Sequence, residues 1–190
     1  GGGMEHTTVS FMGNFSSSLI AHELAHQWFG NKITCGSWKD IWLNEGFATY
    51  LSGLVVENFE GENSFTSWKQ SRINSITAQP SGSVYISNND TTVARVFSSR
   101  LSYSKGAMVL HMLRKKLGDD SFFQSLRDYL SDEDFSYSYA KTDDLKSIIQ
   151  ESSGENVTEF FDDWIYGEGY PSYQINWSHN SQGNLNLEVS

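Results

Sequence analysis

The feature that most constrains this chain is the pentapeptide HELAH, which spans His22 to His26. Two of the chain's 5 histidines stand four residues apart, and a glutamate lies between them. On an α-helix, residues four positions apart lie on the same face one turn apart, so both imidazoles can reach a single metal ion. The chain is therefore expected to fold around a helix that presents His22 and His26 to a cleft.

A third ligand and a base are predicted close to these histidines. A catalytic zinc ion takes three protein ligands and keeps one position open, and Glu45 in WLNEGFATY is the predicted third ligand. Glu23 cannot easily bind the same ion, but it is suited to take a proton from water. Gly46 costs its helix about 1 kcal/mol relative to alanine, which indicates close approach of another backbone or of a substrate. Asn44 is expected to orient a ligand histidine.

The same helix carries three large apolar residues at helical spacing, Ile20, Leu24 and Trp28. Residues four apart form a stripe along one helix face, here roughly opposite to the two histidines. We expect this stripe to bury the helix against the rest of the domain while the imidazoles face the cleft.

The cysteine and the other histidines favour structural roles. Cys35 has no cysteine or histidine partner at ligand spacing, so it is not expected to bind metal. His111 lies within the apolar run AMVLHMLRKKL and is expected to pack between helices. His179 has no motif around it.

Composition excludes several classes of function. A net charge of −10 leaves no basic patch for nucleic acid, so a nucleic-acid partner is not expected. No run of eighteen apolar residues is present, so no transmembrane segment is predicted. The 38% hydrophobic content and 6 tryptophans indicate a folded core. A single cysteine excludes an internal disulfide, so the cellular compartment is left open.

Apolar periodicity and glycine positions predict a mainly α-helical chain. A strand is predicted over residues 1–10, and residues 80–102 are expected to form a long irregular connection. From Tyr173 onward, apolar and polar residues alternate on both sides of SQGN, which is typical of a β-hairpin. The predicted helices cover residues 16–30, 39–59, 63–78, 104–117, 120–131, 142–152 and 156–166.

Four segments, taken in order, carry a family resemblance. GGMEH at Gly2–His6 is similar to a G-x-M-E-N exopeptidase motif, and HELAH is followed after eighteen residues by Glu45. YSKGA at Tyr103–Ala107 is similar to a segment that carries a catalytic tyrosine. FFDDWIYGEGYP at Phe160–Pro171 resembles an exit from a catalytic domain into a β-sandwich. Together they resemble the aminopeptidase N (membrane alanyl aminopeptidase) family of gluzincin zinc metallopeptidases.

The resemblance implies a mainly α, thermolysin-like catalytic subdomain and a reaction centre. One zinc ion would be held by His22, His26 and Glu45. Glu23 would act as general base and then as general acid toward the leaving amine. Tyr103 would donate a hydrogen bond to the developing oxyanion.

The resemblance also implies a substrate-binding strand. Glu5 would hold the free α-amine of a peptide, which limits cleavage to the first residue. Gly2, Gly3 and Met4 would offer backbone groups to the substrate. The family usually has asparagine where this chain has His6, and a charged imidazole there would compete with the substrate amine for Glu5.

The domain organisation follows from the same resemblance. Residues 1–170 are expected to form part of a thermolysin-like catalytic subdomain, and residues 171–190 the first strands of a following β-sandwich. The family's strand-rich upstream part, its amino-terminal β-domain and its helical carboxy-terminal region are expected as flanking domains of the same protein, outside this chain.

Three functions remain open at this stage. The first is a zinc aminopeptidase that acts on peptides with a free N-terminus. The second is a catalytically impaired zinc-binding module, which His6 and the absent flanking parts motivate. The third is a leukotriene-hydrolase-like enzyme that opens an epoxide, although no residue here favours a lipid pocket.

Overall fold

The computed structural model describes residues 2–87 and 90–190. The fold is mainly α-helical with short strands, as the sequence predicts. The helices, numbered in chain order, are α1 Ser17–Ala25, α2 Trp42–Glu60, α3 Glu62–Thr77, α4 Val93–Val96, α5 Gly106–Leu117, α6 Asp119–Ser131, α7 Thr142–Ser153 and α8 Thr158–Phe161. Three further helical segments flank them, a 3₁₀ turn at Trp38–Asp40 and π-helices at Ser99–Lys105 and Asp162–Tyr166.

Helix α2 is the centre of the domain. Its first half is buried on every side, and Trp42, Phe47 and Tyr50 are among the largest fully buried side chains. A helix that is buried all round belongs in a core, with other helices packed on each face. The indole of Trp42 donates to Thr142 Oγ1 at 2.9 Å, and Asp40 accepts from the same hydroxyl at 2.7 Å. These bonds hold the start of α2 against the start of α7.

Helices α2 and α5 cross at two glycines. A Cβ atom on Gly46 would lie 3.1 Å from the backbone of Gly106, and one on Gly106 would lie 3.1 Å from Cα of Gly46. Both distances are tighter than nearly all real Cβ contacts. The close approach predicted for Gly46 is therefore that of another backbone, and the crossing places Glu45 near the segment that ends at Lys105.

The end predicted for helix α1 is wrong. The helix ends at Ala25 rather than at residue 30, because Phe29 forms a bridge with Ile33 and Gly30 takes a φ of 140°. His26 keeps helical angles at the C-cap, so it remains one turn from His22.

The apolar stripe of α1 also does not bury the helix. Ile20, Leu24 and Trp28 are 41%, 56% and 46% exposed, whereas Glu23 and His26 are buried. The histidine face packs toward α2, where the carboxylate of Glu45 lies. The inward face of α1 therefore carries Glu23, Ala25 and the histidines rather than the large apolar residues.

Short strands replace the single strand predicted over residues 1–10. Gly3–Met4 (β1) pairs antiparallel with Phe11–Met12 (β2), and residues 6–9 turn between them. A second pair of strands, Ile33–Cys35 (β3) and Ser138–Ala140 (β4), runs parallel and was not predicted. Each strand has three residues, which is too short for an alternation of apolar and polar residues to be visible.

The connection predicted over residues 80–102 is partly helical, since it contains α4 and the start of the first π-helix; residues 88 and 89 lie outside the described residues. Three cations hold it in place through backbone oxygens. Lys105 Nζ donates to Gly82 at 3.0 Å, Arg95 to Ser83 at 2.9 Å, and Arg100 to Gln79 at 3.3 Å.

The C-terminal hairpin is confirmed. Ile175–His179 (β5) pairs with Leu185–Val189 (β6) around the predicted turn. Ile175 faces Val189 and Trp177 faces Leu187, so one face of the hairpin is largely apolar and exposed. In the described ranges, no helix combines the length and the apolar character that crossing a membrane requires.

The glycine crossing predicts the sign of a stability change. Gly106→Ala gains about 1 kcal/mol from helix propensity but overpacks the contact with Gly46, and overpacking costs about 1–3 kcal/mol. We expect a net loss of unfolding free energy in urea denaturation. The matched control is Gly2→Ala, whose Cβ would meet nothing within 4 Å. A stabilised Gly106→Ala variant would show that the crossing is loose.

Candidate metal centre

Helices α1 and α2 bring three ligand atoms together. His22 Nε2 lies 3.2 Å from Glu45 Oε2, and His26 Nε2 lies 3.1 Å from His22 Nε2 and 3.4 Å from Glu45 Oε2. In a tetrahedral zinc site with bonds of about 2.0–2.1 Å, ligand atoms stand about 3.3 Å apart. The spacing and the donor set of two imidazoles and one carboxylate both fit zinc.

The electrostatics of these ligands favour a cation. Burial alone would raise the pKa of Glu45, but hydrogen bonds with His22 and His26 outweigh it and lower that pKa to about 2. Burial alone would lower the pKa of His26, but the hydrogen bond with Glu45 and the negative charges of Glu45 and Glu5 raise it overall. Glu45 therefore stays ionised beside His26, and a metal ion bound to that imidazole would compete with its proton.

The backbone orients His26. Its Nδ1 lies 3.0 Å from the carbonyl oxygen of Phe29, which can only accept, so Nδ1 carries the proton and Nε2 is free to bind metal. Asn44 Oδ1 accepts from the backbone N–H of Cys35 at 3.1 Å, and the role predicted for Asn44 stays a prediction. A backbone carbonyl leaves no mark in the sequence, so this partner went unpredicted.

A second group of possible ligands is Glu5, Glu23 and His26. Nδ1 of His26 lies 3.9 Å from Glu5 Oε1, but it already donates to the carbonyl oxygen of Phe29. The first group is the better metal site because the metal-facing nitrogens of both histidines are available there.

Glu23 is a buried carboxyl group, only 3% exposed, beside the ligands. Burial raises its pKa, and the charges of His22 and His26 offset this only in part. Among the described residues, its Oε2 has no hydrogen-bond partner. Gly3 lies directly against this carboxyl group, where any Cβ atom would overlap it. An unpartnered buried oxygen at this point is suited to bind and deprotonate a small polar molecule.

Tyr103 lies on the first π-helix rather than at the start of an α-helix. Its ring stacks on that of His22, with centroids 5.9 Å apart and planes 11° apart. Burial and the negative charge of Glu45 raise the pKa of Tyr103, so its hydroxyl stays protonated and can donate. π-Helices are frequent at functional sites because one extra residue re-aims a side chain.

Glu5 follows β1 and is half-buried. Asn31 Nδ2 donates to its backbone oxygen at 2.7 Å, which ties this strand to the turn after α1. His6 is edge-on to Phe11 with ring centroids 5.5 Å apart, and within the described residues it forms no ion pair with Glu5.

One cavity of about 940 Å³ joins these groups. All nine predicted site residues line it, namely Gly2, Gly3, Met4, Glu5, His22, Glu23, His26, Glu45 and Tyr103. Arg72 and Ser75 on α3 also line it, and they went unpredicted because a polar residue on a helix surface carries no distinguishing signal.

The sequence does not predict a metal-binding role for Cys35 or for His111. Burial raises the pKa of the Cys35 thiol to about 12, so it stays protonated, and Cys35 is absent from the metal-ligand groups of the described residues. His111 is buried edge-on to Phe65, and burial lowers its pKa to about 4. The predicted packing role of His111 is confirmed.

Sequence comparison finds one family model and close relatives. The model described as the peptidase family M1 domain matches residues 7–164. Aminopeptidase M1-A of Oryza sativa subsp. japonica is 41% identical over 164 residues, which are 83% of this chain and 18% of that protein. The alanine/arginine aminopeptidase of Saccharomyces cerevisiae is 34% identical over 170 residues, 84% of this chain and 19% of that protein. The chain thus spans about a fifth of these relatives.

Comparison with solved structures also finds zinc metallopeptidases of family M1. The M1 zinc metallopeptidase of Deinococcus radiodurans superimposes with a TM-score of 0.77 at 28% identity, covering 90% of this chain and 38% of that one. Yeast LTA4 hydrolase in complex with bestatin superimposes with a TM-score of 0.73 at 27% identity, covering 90% of this chain and 30% of that one.

Proton competition at His26 predicts how zinc affinity varies with pH. Because the pKa of His26 is raised above 6.5, zinc affinity should start to fall above pH 6.5 on acidification, by about tenfold per pH unit for each proton displaced. Chelator-competition titrations between pH 5 and 8 measure this. Cys35→Ala, which removes a thiol that is not a ligand, should follow the same curve.

The raised pKa of His26 also determines how the stability of the metal-free chain varies with pH. A raised pKa of His26 stabilises the metal-free chain fully below pH 6.5, and this stabilisation is lost as pH rises through the raised value. Stabilisation by zinc grows in the opposite direction, so the gap in Tm between zinc-loaded and metal-free protein should widen from pH 5 to 8. A constant gap and full zinc occupancy at pH 5 would contradict the ligand set.

Proposed function

Because the chain belongs to peptidase family M1, we propose that it is the catalytic segment of a zinc-dependent aminopeptidase that releases the first residue of peptides. The observation that carries this proposal is the meeting of three metal-ligand atoms, 3.1 to 3.4 Å apart, with Glu5, Glu23 and Tyr103 in one cavity. The activity is proposed for the whole protein, since this chain spans only about a fifth of its relatives.

One zinc ion is proposed, which His22, His26 and Glu45 would hold at the wall of the cavity. When bound, zinc supplies Lewis acidity that polarises the scissile carbonyl and acidifies a water molecule. The backbone bond from His26 to Phe29 keeps the imidazole in the ligating tautomer.

Glu23 is the proposed proton carrier. Its buried Oε2 is unpartnered among the described residues, and burial raises its pKa toward the range of an efficient general base. In this role, Glu23 takes a proton from the attacking water and then gives it to the departing amine nitrogen, so no net proton remains on the carboxyl group after a cycle.

Tyr103 is the proposed donor to the carbonyl oxygen. As water adds, negative charge develops on that oxygen, and the half-buried Tyr103, whose ring stacks on His22, would donate a hydrogen bond to it from a protonated hydroxyl. Donors of this kind contribute about 3 kcal/mol to transition-state stabilisation.

Glu5 is proposed to set the exopeptidase specificity. It is half-buried at the cavity wall next to β1, where a carboxylate pairs strongly with the ammonium of a free N-terminus. Gly2, Gly3 and Met4 are exposed along the same wall and are proposed to bind substrate through their backbone. A variant of the Deinococcus radiodurans enzyme binds a Tyr-Ser-Ala substrate, which supports a peptide ligand here.

Residues 171–190 are proposed as the opening strands of a following β-sandwich. The apolar face of the β5–β6 hairpin, with Ile175, Trp177 and Leu187, is exposed. An isolated two-stranded hairpin is marginally stable, so a second sheet that covers this face is expected in the whole protein.

Glu23→Gln tests the mechanism. The substitution keeps the size of the side chain but removes its basicity, so kcat on aminoacyl-amide substrates should fall by about 10²- to 10⁴-fold. Zinc content should remain stoichiometric. Glu62→Gln, which changes an exposed glutamate paired with Lys69, is the matched control and should keep full activity.

Two results of this test would change the proposal. Equal turnover by Glu23→Gln and by the unaltered protein would rule out Glu23 as the general base. Stoichiometric zinc without any turnover in the unaltered protein would favour a zinc-binding module.

Glu5→Gln tests the recognition of the amine. The loss of the carboxylate should lower kcat/KM on free peptides by about 10- to 100-fold, while the slow cleavage of N-acetylated peptides should stay unchanged. His6→Asn is the neighbouring control and should remain within a few-fold of the unaltered protein, since the His6 ring packs on Phe11. An equal loss on both peptide classes would remove Glu5 from amine recognition.

A further inference from the structure

Helix α3 contributes a basic side chain to the cavity. Arg72 lines the same cavity as His22, Glu45 and Tyr103, and Ser75, three residues further along α3, lines it too. The mechanism proposed above uses neither residue. Arg72 is therefore a cationic group that borders the reaction centre without an assigned role.

Arg72 has no anionic partner in the described part of the chain. Its Nε is buried without a hydrogen-bond partner, and burial alone lowers its pKa, with no carboxylate close enough to raise it. Arg114, by contrast, pairs with Glu57 and Asp119 at 2.7 Å each. Desolvating a charge without a partner is unfavourable, so a guanidinium of this kind is suited to an anion brought by a ligand.

The guanidinium is held in position before any ligand binds. Its Cζ lies 5.1 Å from the centroid of the Trp68 ring, within the range of a cation–π contact. Trp68 is itself wedged against α2, since a Cβ on Gly53 would lie 2.7 Å from the indole. A pre-positioned guanidinium loses less conformational entropy on binding.

We propose that Arg72 is a specificity-determining residue that binds a carboxylate of the peptide substrate. This inference rests on the proposed function. A planar guanidinium matches a carboxylate with two parallel hydrogen bonds, and Ser75 lines the same cavity. The cavity then carries a carboxylate for the substrate ammonium at Glu5 and a guanidinium for a substrate carboxylate at Arg72.

Four peptides distinguish the two sources of that carboxylate. Ala-Ala-Ala and its C-terminal amide differ only in the terminal carboxylate, whereas Ala-Asp-Ala amide and Ala-Asn-Ala amide differ only in a side-chain carboxylate. We expect Arg72→Met to lower kcat/KM on the acidic member of one pair by about 10- to 100-fold and to leave its neutral partner within twofold. The pair that responds identifies the source.

Two variants control for charge and folding. Lys69→Met removes a positive charge from the same helix, outside the cavity, and should not discriminate within either pair. Arg72→Lys keeps the charge but not the planar fork, so it should retain part of the preference. Thermal unfolding should show Arg72→Met to be at least as stable as the unaltered protein, because the guanidinium has no anionic partner among the described residues.

Calorimetric titration of the same peptides separates this inference from the proposed function. If the unaltered protein binds acid over amide but cleaves neither, the aminopeptidase proposal fails and the role of Arg72 stands. The role of Arg72 is overturned if Arg72→Met binds and cleaves both members of each pair in the same ratio as the unaltered protein. It is also overturned if Lys69→Met lowers the preference for the acidic peptide as much as Arg72→Met does.

Discussion

The structure depends on the contact of two imidazoles with one carboxylate between α1 and α2. His26 and Glu45 are both buried, and such groups are tolerated in a core only when they are paired with each other or with a metal. This pairing turns the polar face of α1 inward and leaves Ile20 and Leu24 exposed. The face of the first helix that carries the two histidines is therefore the one that packs toward α2, and its stripe of large apolar residues lies on the exposed face.

The sequence predicted those features whose geometry is local. The spacing of His22 and His26 specifies a shared helix face, and a glycine at position 46 implies a close crossing. The same reasoning failed where a contact between distant segments decides the outcome. The parallel pair β3–β4 and the carbonyl of Phe29 depend on how loops meet, and neither produces a periodic pattern.

Tyr103 illustrates the limit of motif reasoning. Resemblance located the residue, and the structure brings its ring onto His22, but the π-helix that carries it was not foreseen. Two neighbours in sequence hold Tyr103 in position. Gly106 allows α2 to approach closely at the crossing, and the buried ammonium of Lys105 donates to the carbonyl oxygens of Gly82 and Gly167. Lys105 thus ties the π-helix that carries Tyr103 to the loop at Gly82 and to the segment at Gly167.

The π-helix also makes this part of the chain sensitive to length. Each residue advances an α-helix by about 100°, and a π-helical turn accommodates one residue more than an α-helical turn. Removing one residue between Ser99 and Tyr103 would restore regular helical geometry and yet swing the phenol ring about a quarter-turn away from His22. An insertion or deletion between Ser99 and Tyr103 would therefore misplace the phenol ring even if every other side chain of the π-helix were kept.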